Sequence, residues 1–154
     1  MSGANNDLKH IAVLAFPFAT HAAPLLSLVR KLSTMAPQTK FSFFSTKQSN
    51  NKLFQNGGRL ENIKPYNVND GLPEDYVFSM ENSHEPVEYF LKAVPGNFKQ
   101  AMDVAGQVIG REITCIMSDA FFGLGRILHT NCTSHGCHFG LLDLVPSFCI
   151  LKPI

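Results

Sequence analysis

The run HIAVLAF at residues 10–16 limits the fold of this chain more than any other stretch of its sequence. The run is continuous, apolar and partly β-branched, which predicts a strand buried on both faces of a sheet. Pro17 ends it, and Pro24 opens a leucine-rich segment that predicts a helix. The apolar residues of that segment recur at helical spacing, at Leu25, Leu28, Val29, Leu32 and Met35.

The rest of the chain repeats this alternation of strands and helices. KFSFFS at 40–45 predicts a second strand, TKQSNNKLFQ a short helix, and ENIKPYNV at 61–68 a third strand. A loop rich in turn residues then leads into a long helical pattern from Glu85, which Pro95-Gly96 is expected to break in two. EITCIMSDAFF at 112–122 predicts another strand, ITCIM, followed by an acid. The alternation predicts an α/β domain around a parallel sheet.

Two titratable residues stand at predicted strand ends. His21 follows the first strand and Asp119 a later one, and parallel sheets bind ligands beyond the carboxyl ends of their strands. We therefore expect an imidazole and a carboxylate to meet there. The carboxylate would fix the tautomer, and the second ring nitrogen would take a proton from a substrate. The spacing alone also fits a capping histidine and an N-cap aspartate with no chemistry.

Composition excludes several classes of protein. The chain has 154 residues, 45% hydrophobic and 16% charged, which is typical of one globular domain with a real core. A net charge of +1 without a basic run argues against nucleic-acid binding. The sequence shows no signal-peptide pattern, no apolar span and no disulfide framework, so we expect a cytoplasmic location and no membrane span.

Several segments of residues 8–125 together resemble one known family. The most specific part is the order of AFPFATHAAPLL, DGLP and SDAFF along the chain. These segments are similar to the N-terminal half of plant family-1 UDP-glycosyltransferases, above all the flavonoid and anthocyanidin 3-O-glucosyltransferases. The resemblance implies a GT-B enzyme with two Rossmann-like domains, each a parallel sheet with helices on both faces. Residues 8–125 would be the truncated acceptor-binding domain, and the UDP-sugar-binding domain would be absent.

The resemblance also implies a reaction. His21 corresponds to a general base that deprotonates the acceptor hydroxyl, and Asp119 to its partner. The oxyanion would attack the anomeric carbon of UDP-glucose, UDP would leave, and the configuration would invert. UDP-glucose is thus an expected co-substrate beside a flavonoid acceptor, and neither a cofactor nor a metal is expected. A flavonol 3-hydroxyl is acidic enough for an imidazole to serve as the base.

Other positions carry over from the family less directly. Thr20 matches a threonine on the sugar-donor side of the loop. His84 falls where relatives often place a polar residue near the acceptor, although a solvated loop histidine fits as well. An aromatic wall for a flat polyphenol is also implied, with ordinary core packing as the alternative for each ring. Its candidate members are Phe16, Phe18, Phe121 and Phe122. His10, at the start of the first strand, is interpreted as structural.

The tail, residues 126–154, departs from the family pattern. Its candidate zinc ligands match no standard zinc-finger spacing, so we expect no metal there. They are His129, Cys132, His135, Cys137 and His138. The tail can be back-translated into DNA and read in a shifted frame, in which each codon starts at the third base of the preceding one. In that frame, permitted codons encode Val-Pro-Trp-Leu-Pro-Phe-Trp-Thr-Ala-Gly-Pro, which is the usual family continuation. We therefore interpret residues 126–154 as an out-of-frame tail that begins near Gly125.

By descent, the sequence thus predicts a UDP-glucose-dependent flavonoid 3-O-glucosyltransferase. Because the donor domain would supply the help for the leaving UDP, we expect the chain by itself to transfer little or no sugar. The alternative is a non-catalytic truncated product or a flavonoid-binding fragment. Both hypotheses require residues 8–125 to form the predicted α/β domain.

Overall fold

A computed structural model describes residues 9–55 and 60–119 of the chain, together with the backbone of residues 148–150. This part of the chain contains five strands and three helices. In chain order they are β1 His10–Leu14, α1 Ala22–Met35, β2 Lys40–Thr46, α2 Lys47–Phe54, β3 Ile63–Val68, α3 Glu85–Ile109, β4 Cys115–Asp119 and β5 Phe148–Ile150. The predicted alternation of strands and helices is confirmed, with small shifts of the element bounds.

The strands form one sheet in the order β3-β2-β1-β4-β5. β1 pairs in parallel with both β2 and β4, and β2 pairs in parallel with β3. β5, which the sequence did not predict, pairs with β4 in the antiparallel direction. Leu14 at the end of β1 lies opposite Ser118 of β4, so these two central strands end at the same edge of the sheet. The parallel sheet confirms the predicted α/β class.

Helices cover both faces of the sheet because β1 is apolar on both. Successive side chains of a strand point to opposite faces. Ala12 and Leu14 pack on one side, and Val13 packs on the other. The first side is covered by α3, through Phe90, Val94, Phe98 and Ala105. The second side is covered by α1, through Ala22, Leu25, Leu26 and Val29. The apolar residues of β1 after His10 are therefore buried between two apolar layers.

The prediction that Pro95-Gly96 breaks the long helix is wrong. α3 runs without interruption from Glu85 to Ile109, with Pro95 inside it. A proline in a helix interior removes one hydrogen bond and costs about 3 kcal/mol. Phe90 and Phe98, on either side of Pro95, are fully buried, and burial of such side chains is worth about 1.5–3 kcal/mol each. Packing of the apolar stripe on both sides of the proline therefore outweighs the local preference.

The loop between β3 and α3 docks onto α3 at Gly71, the glycine of the DGLP motif. Its backbone has φ +77°, and its N–H donates to Asn69 Oδ1 at 2.7 Å. A Cβ atom at this position would lie 2.7 Å from the carbonyl oxygen of Tyr89 and 2.8 Å from Cβ of Ala93. The left-handed backbone and the close approach to a helix both require glycine here.

Candidate active site

His21 lies at the carboxyl edge of the sheet, where the loop from β1 reaches α1. The start of this loop is tied to β2, since the N–H of Ala15 donates to the carbonyl of Phe44 at 2.9 Å. His21 occupies the N-cap position of α1, but its side chain makes no capping hydrogen bond. With 34% of that side chain exposed, the imidazole is accessible to a ligand. The capping role that the sequence left open is therefore not the one His21 performs.

Asp119 is the last residue of β4, the strand beside β1. Its carboxylate lies next to the imidazole, with 3.7 Å between Asp119 Oδ2 and His21 Nδ1. Only 4% of the Asp119 side chain is exposed. The structure therefore brings together the two residues that the sequence placed at separate strand ends, and it does so through the parallel pairing of β1 and β4.

The pair has the geometry of an electrostatic contact. A distance of 3.7 Å between nitrogen and oxygen is too long for a hydrogen bond but short enough for an ion pair. Catalytic contacts are often loose without substrate and tighten in the complex. The carboxylate faces Nδ1, so in a catalytic role Nε2 would be the ring nitrogen that takes a proton from a substrate. A carboxylate at Nδ1 also stabilises the imidazolium that forms when Nε2 takes that proton.

Two of the predicted wall residues pack around the pair as part of the core. Phe16 is 5% exposed and belongs to the apolar cluster under α3. Its ring meets the imidazole of His21 edge-on, with 5.6 Å between centroids and 80° between planes. Phe18 is partly buried against the same cluster. Phe121 and Phe122 lie outside the described residues. The burial of Phe16 favours the packing role that the sequence left as its alternative.

The remaining predicted positions are scattered. Thr20 is exposed in the loop next to His21. His84 lies at the start of α3, 68% exposed, with Nε2 4.0 Å from Glu88 Oε1. In residues 9–55 and 60–119, no hydrogen bond or ion pair joins His84 to His21 or Asp119. The candidate zinc ligands of the tail lie outside the described residues.

Sequence reasoning missed two residues that shape the His21 loop. Ala19 has φ 53°, a left-handed backbone that non-glycine residues rarely adopt. Nothing in the sequence signals this, since glycine or asparagine is the usual residue there. Phe90 of α3 contacts the rings of both Phe16 and Phe18. Its helical spacing indicated a core residue, but no pattern in the sequence linked α3 to the loop.

Sequence comparison identifies relatives with the same segments. Over 124 residues the chain is 54% identical to a flavonoid 3-O-glucosyltransferase of Medicago truncatula, an alignment that covers 80% of this chain. Over 117 residues it is 50% identical to a flavonol 3-O-glucosyltransferase of Arabidopsis thaliana, which covers 74% of this chain. This chain belongs to the family of the flavonoid and anthocyanidin 3-O-glucosyltransferases. No protein-family model matches the sequence.

A solved structure of this glucosyltransferase family has the same fold. It is a crystal structure of a UDP-glucose:anthocyanidin 3-O-glucosyltransferase in complex with UDP, which matches with a TM-score of 0.72 and 35% identity. The match covers 80% of this chain and 28% of the solved one. The chain spans about a quarter of the length of its relatives, 27% of the Medicago protein and 25% of the Arabidopsis protein. The sheet described above is thus a sheet of a GT-B glycosyltransferase.

Two clefts open at the carboxyl end of β3, away from the His21–Asp119 pair. One, of about 470 Å³, is lined by Lys47, Gln48, Asn51, Val68, Asn69 and Asp70. The other, of about 290 Å³, lies on the α3 side and is lined by Tyr66, Asn67, Val68, Asn69, Asn97, Gln100, Ala101 and Val104. Neither of these clefts is lined by His21 or Asp119. Among the described helices, none is both long and apolar enough to cross a bilayer.

Proposed function

We propose that this chain provides the acceptor-binding side of a UDP-glucose-dependent flavonoid or anthocyanidin 3-O-glucosyltransferase, with His21 as general base and Asp119 as its partner. The observation that carries the proposal is the 3.7 Å contact between His21 Nδ1 and Asp119 Oδ2. This contact lies at the ligand-binding edge of a parallel sheet. The chain that contains it is 54% identical to a flavonoid 3-O-glucosyltransferase over the aligned residues.

The pair would act in a single displacement. Nε2 of His21 takes the proton of the flavonoid 3-hydroxyl, and the oxygen uses the released electron pair to form a bond to the anomeric carbon. The bond from that carbon to the UDP oxygen breaks, UDP leaves with its electrons, and the configuration inverts. Asp119 would stabilise the imidazolium throughout.

Further parts of the proposal concern the surroundings of the pair. Thr20 would lie on the donor side of His21, with UDP-glucose as co-substrate and no metal or cofactor. Phe18, Phe121, Phe122 and His84 would contribute to the acceptor site, and Phe16 would face it from the core. A cytoplasmic location also stays a prediction.

The first test uses the chain as it is. Purified protein is incubated with UDP-glucose and quercetin or cyanidin, and the 3-O-glucoside is followed by chromatography and mass spectrometry. Quercetin binding is measured in parallel by fluorescence titration. Formation of the glucoside supports an enzyme that acts in this form. Quercetin binding without glucoside supports the flavonoid-binding fragment. If the protein neither forms the glucoside nor binds quercetin, the result counts against both hypotheses.

A second test isolates the role of the pair. Residues 1–119 are joined to the remaining segment of the Medicago truncatula relative, and the variants His21→Ala and Asp119→Asn are made in this chimera. Loss of a general base typically costs about 10²–10⁴ in rate, so we expect kcat of His21→Ala to fall by that factor and kcat of Asp119→Asn to fall in the same direction. The control is Asp103→Asn, an exposed carboxylate of α3 that pairs with Lys99. Near-wild-type turnover of His21→Ala in an active chimera would refute the assignment of the base.

A further inference from the structure

The loop that carries His21 has an unfavourable backbone. Ala19, two residues before the histidine, has φ 53°, where the Cβ atom of an L-residue crowds the backbone. Such conformations are unfavourable for residues other than glycine and persist only where surrounding contacts hold them. The position of His21 therefore depends on what anchors the residues on either side of Ala19.

One ring that contacts these residues is that of Phe90, on the face of α3 that packs against the sheet. Phe90 is fully buried. Its centroid lies 5.5 Å from that of Phe18, at 80° between planes, and 6.1 Å from that of Phe16, at 72°. Phe16 and Phe18 also meet each other edge-on, with centroids 5.2 Å apart. Edge-on pairs at these distances are favourable beyond the area they bury. One side chain of α3 thus fixes two residues of the loop.

The same cluster reaches the imidazole. Phe16 meets His21 edge-on, with 5.6 Å between ring centroids, while Nδ1 of His21 faces Asp119 at 3.7 Å. The imidazole is thus held between an aromatic ring and a carboxylate. Because only 34% of the His21 side chain is exposed, these contacts restrict the directions in which Nε2 can point. A shift of Phe16 would therefore change the orientation of the base.

We propose that Phe90 is a positioning residue for His21. Through Phe16 and Phe18 it holds the strained loop in place, so that Nδ1 of His21 faces Asp119 and Nε2 faces the acceptor. The proposal rests on the proposed function, in which His21 is the base. It assigns to α3 a role in the site that is distinct from covering the sheet.

The test compares two phenylalanines of α3 in the 154-residue chain. Phe90→Leu removes the ring that touches the loop. Phe98→Leu is the matched control, since Phe98 is also fully buried. Among the described residues, the aromatic rings that Phe98 contacts are those of Phe44 and Phe90. The readout is the ¹³C–¹H signal of the His21 imidazole, identified by its absence in His21→Gln. Circular dichroism and thermal unfolding check the fold of each variant.

We expect Phe90→Leu to move the ¹³C–¹H chemical shifts of His21 at least half of the way from their wild-type values to those of free histidine. Phe98→Leu should lose a similar amount of thermal stability but leave these chemical shifts near their wild-type values. The proposal is overturned if Phe90→Leu leaves the signal in place, or if Phe98→Leu moves it equally. If Phe90→Leu does not fold, the variant Phe18→Leu tests the proposal instead, because Phe18 is only partly buried. A shift of the His21 signal towards that of free histidine then supports the proposal, and an unchanged signal overturns it.

The readout also separates this proposal from the proposed function, because it needs no catalysis. Suppose that Phe90→Leu moves the His21 signal while His21→Ala keeps full turnover in the chimera. The assignment of His21 as base would then fail, and the control of its orientation by Phe90 would stand. The opposite pair of results would leave the base in place and remove Phe90 from the site.

Discussion

At the scale of single residues, His10 begins β1 and His21 ends the loop that follows this strand, and the described contacts of the two histidines differ. His10 is fully buried, with Nδ1 3.0 Å from the carbonyl oxygen of Arg111 and Nε2 2.8 Å from Oγ of Ser42. Because a carbonyl only accepts, Nδ1 carries the proton and the Ser42 hydroxyl donates to Nε2. Both ring nitrogens are thus satisfied in the neutral form, and burial lowers the pKa of His10 from its ordinary value of 6.5.

The lowered pKa makes stability depend on pH. Below 6.5, and down to the pKa of the folded state, the unfolded chain binds a proton that the folded chain does not. The free energy of unfolding therefore falls as the pH drops through this window, by at most about 1.4 kcal/mol per pH unit for one proton. We expect His10→Gln, which cannot titrate, to be less stable near neutral pH but to decline less steeply in acid. Urea unfolding at a series of pH values measures both slopes, and equal slopes would contradict the assignment.

At the scale of elements, the docking of the β3–α3 loop depends on one missing side chain. Gly71 has φ +77° and would place a Cβ atom 2.7 Å from a backbone oxygen of α3, which cannot move aside. We expect Gly71→Ala to lower the free energy of unfolding by roughly 2–4 kcal/mol, from strain and overpacking together.

The matched control for this prediction is Gly96→Ala in α3. Among the described residues, a Cβ atom there meets nothing within 4 Å, and alanine is favoured over glycine in a helix by roughly 0.8–1 kcal/mol. The same chemical change should therefore stabilise the protein at one position and destabilise it at the other. Chemical denaturation of the two variants checks the signs, and a stable Gly71→Ala protein would show that the loop does not dock as described.

At the scale of the whole molecule, the site exists because two strands distant in sequence lie side by side. β1 lies between β2 and β4, so the chain passes through β2, β3 and all of α3 before it returns to pair with β1. The site therefore joins a residue before α3 in the sequence, His21, to a residue after it, Asp119.

The tail carries a prediction of the same scale. Residues 126–154 are predicted to be encoded in a frame that departs from the family near Gly125, whereas residues 8–125 keep the family frame. Sequencing of the coding DNA across codon 125 tests this directly. We expect an overlapping frame that encodes the Trp-Thr-Ala-Gly-Pro run, and codons that exclude this run in every other frame would end the hypothesis.

The limits of sequence reasoning are clear in α3 and in the His21 loop. Pro95 reads as a break because its effect on the helix is local, while the burial of Phe90 and Phe98 that outweighs it comes from the sheet. The left-handed backbone of Ala19 has no signal in the sequence, since glycine or asparagine is the usual residue in that conformation. The sequence left Phe16 open as either a wall for a ligand or a core residue, and the structure shows it buried beside His21.

What the sequence by itself determined is the order of the elements, the parallel sheet with two apolar faces, and the placement of His21 and Asp119 at strand ends. These follow from periodicity and turn chemistry, which act over a few residues and can be read along the chain. Only the tertiary structure decided that α3 is continuous, that the two side chains lie 3.7 Å apart, and that Phe90 contacts the loop that carries His21. Each of these depends on contacts between residues far apart in the chain, whose energies no local pattern contains.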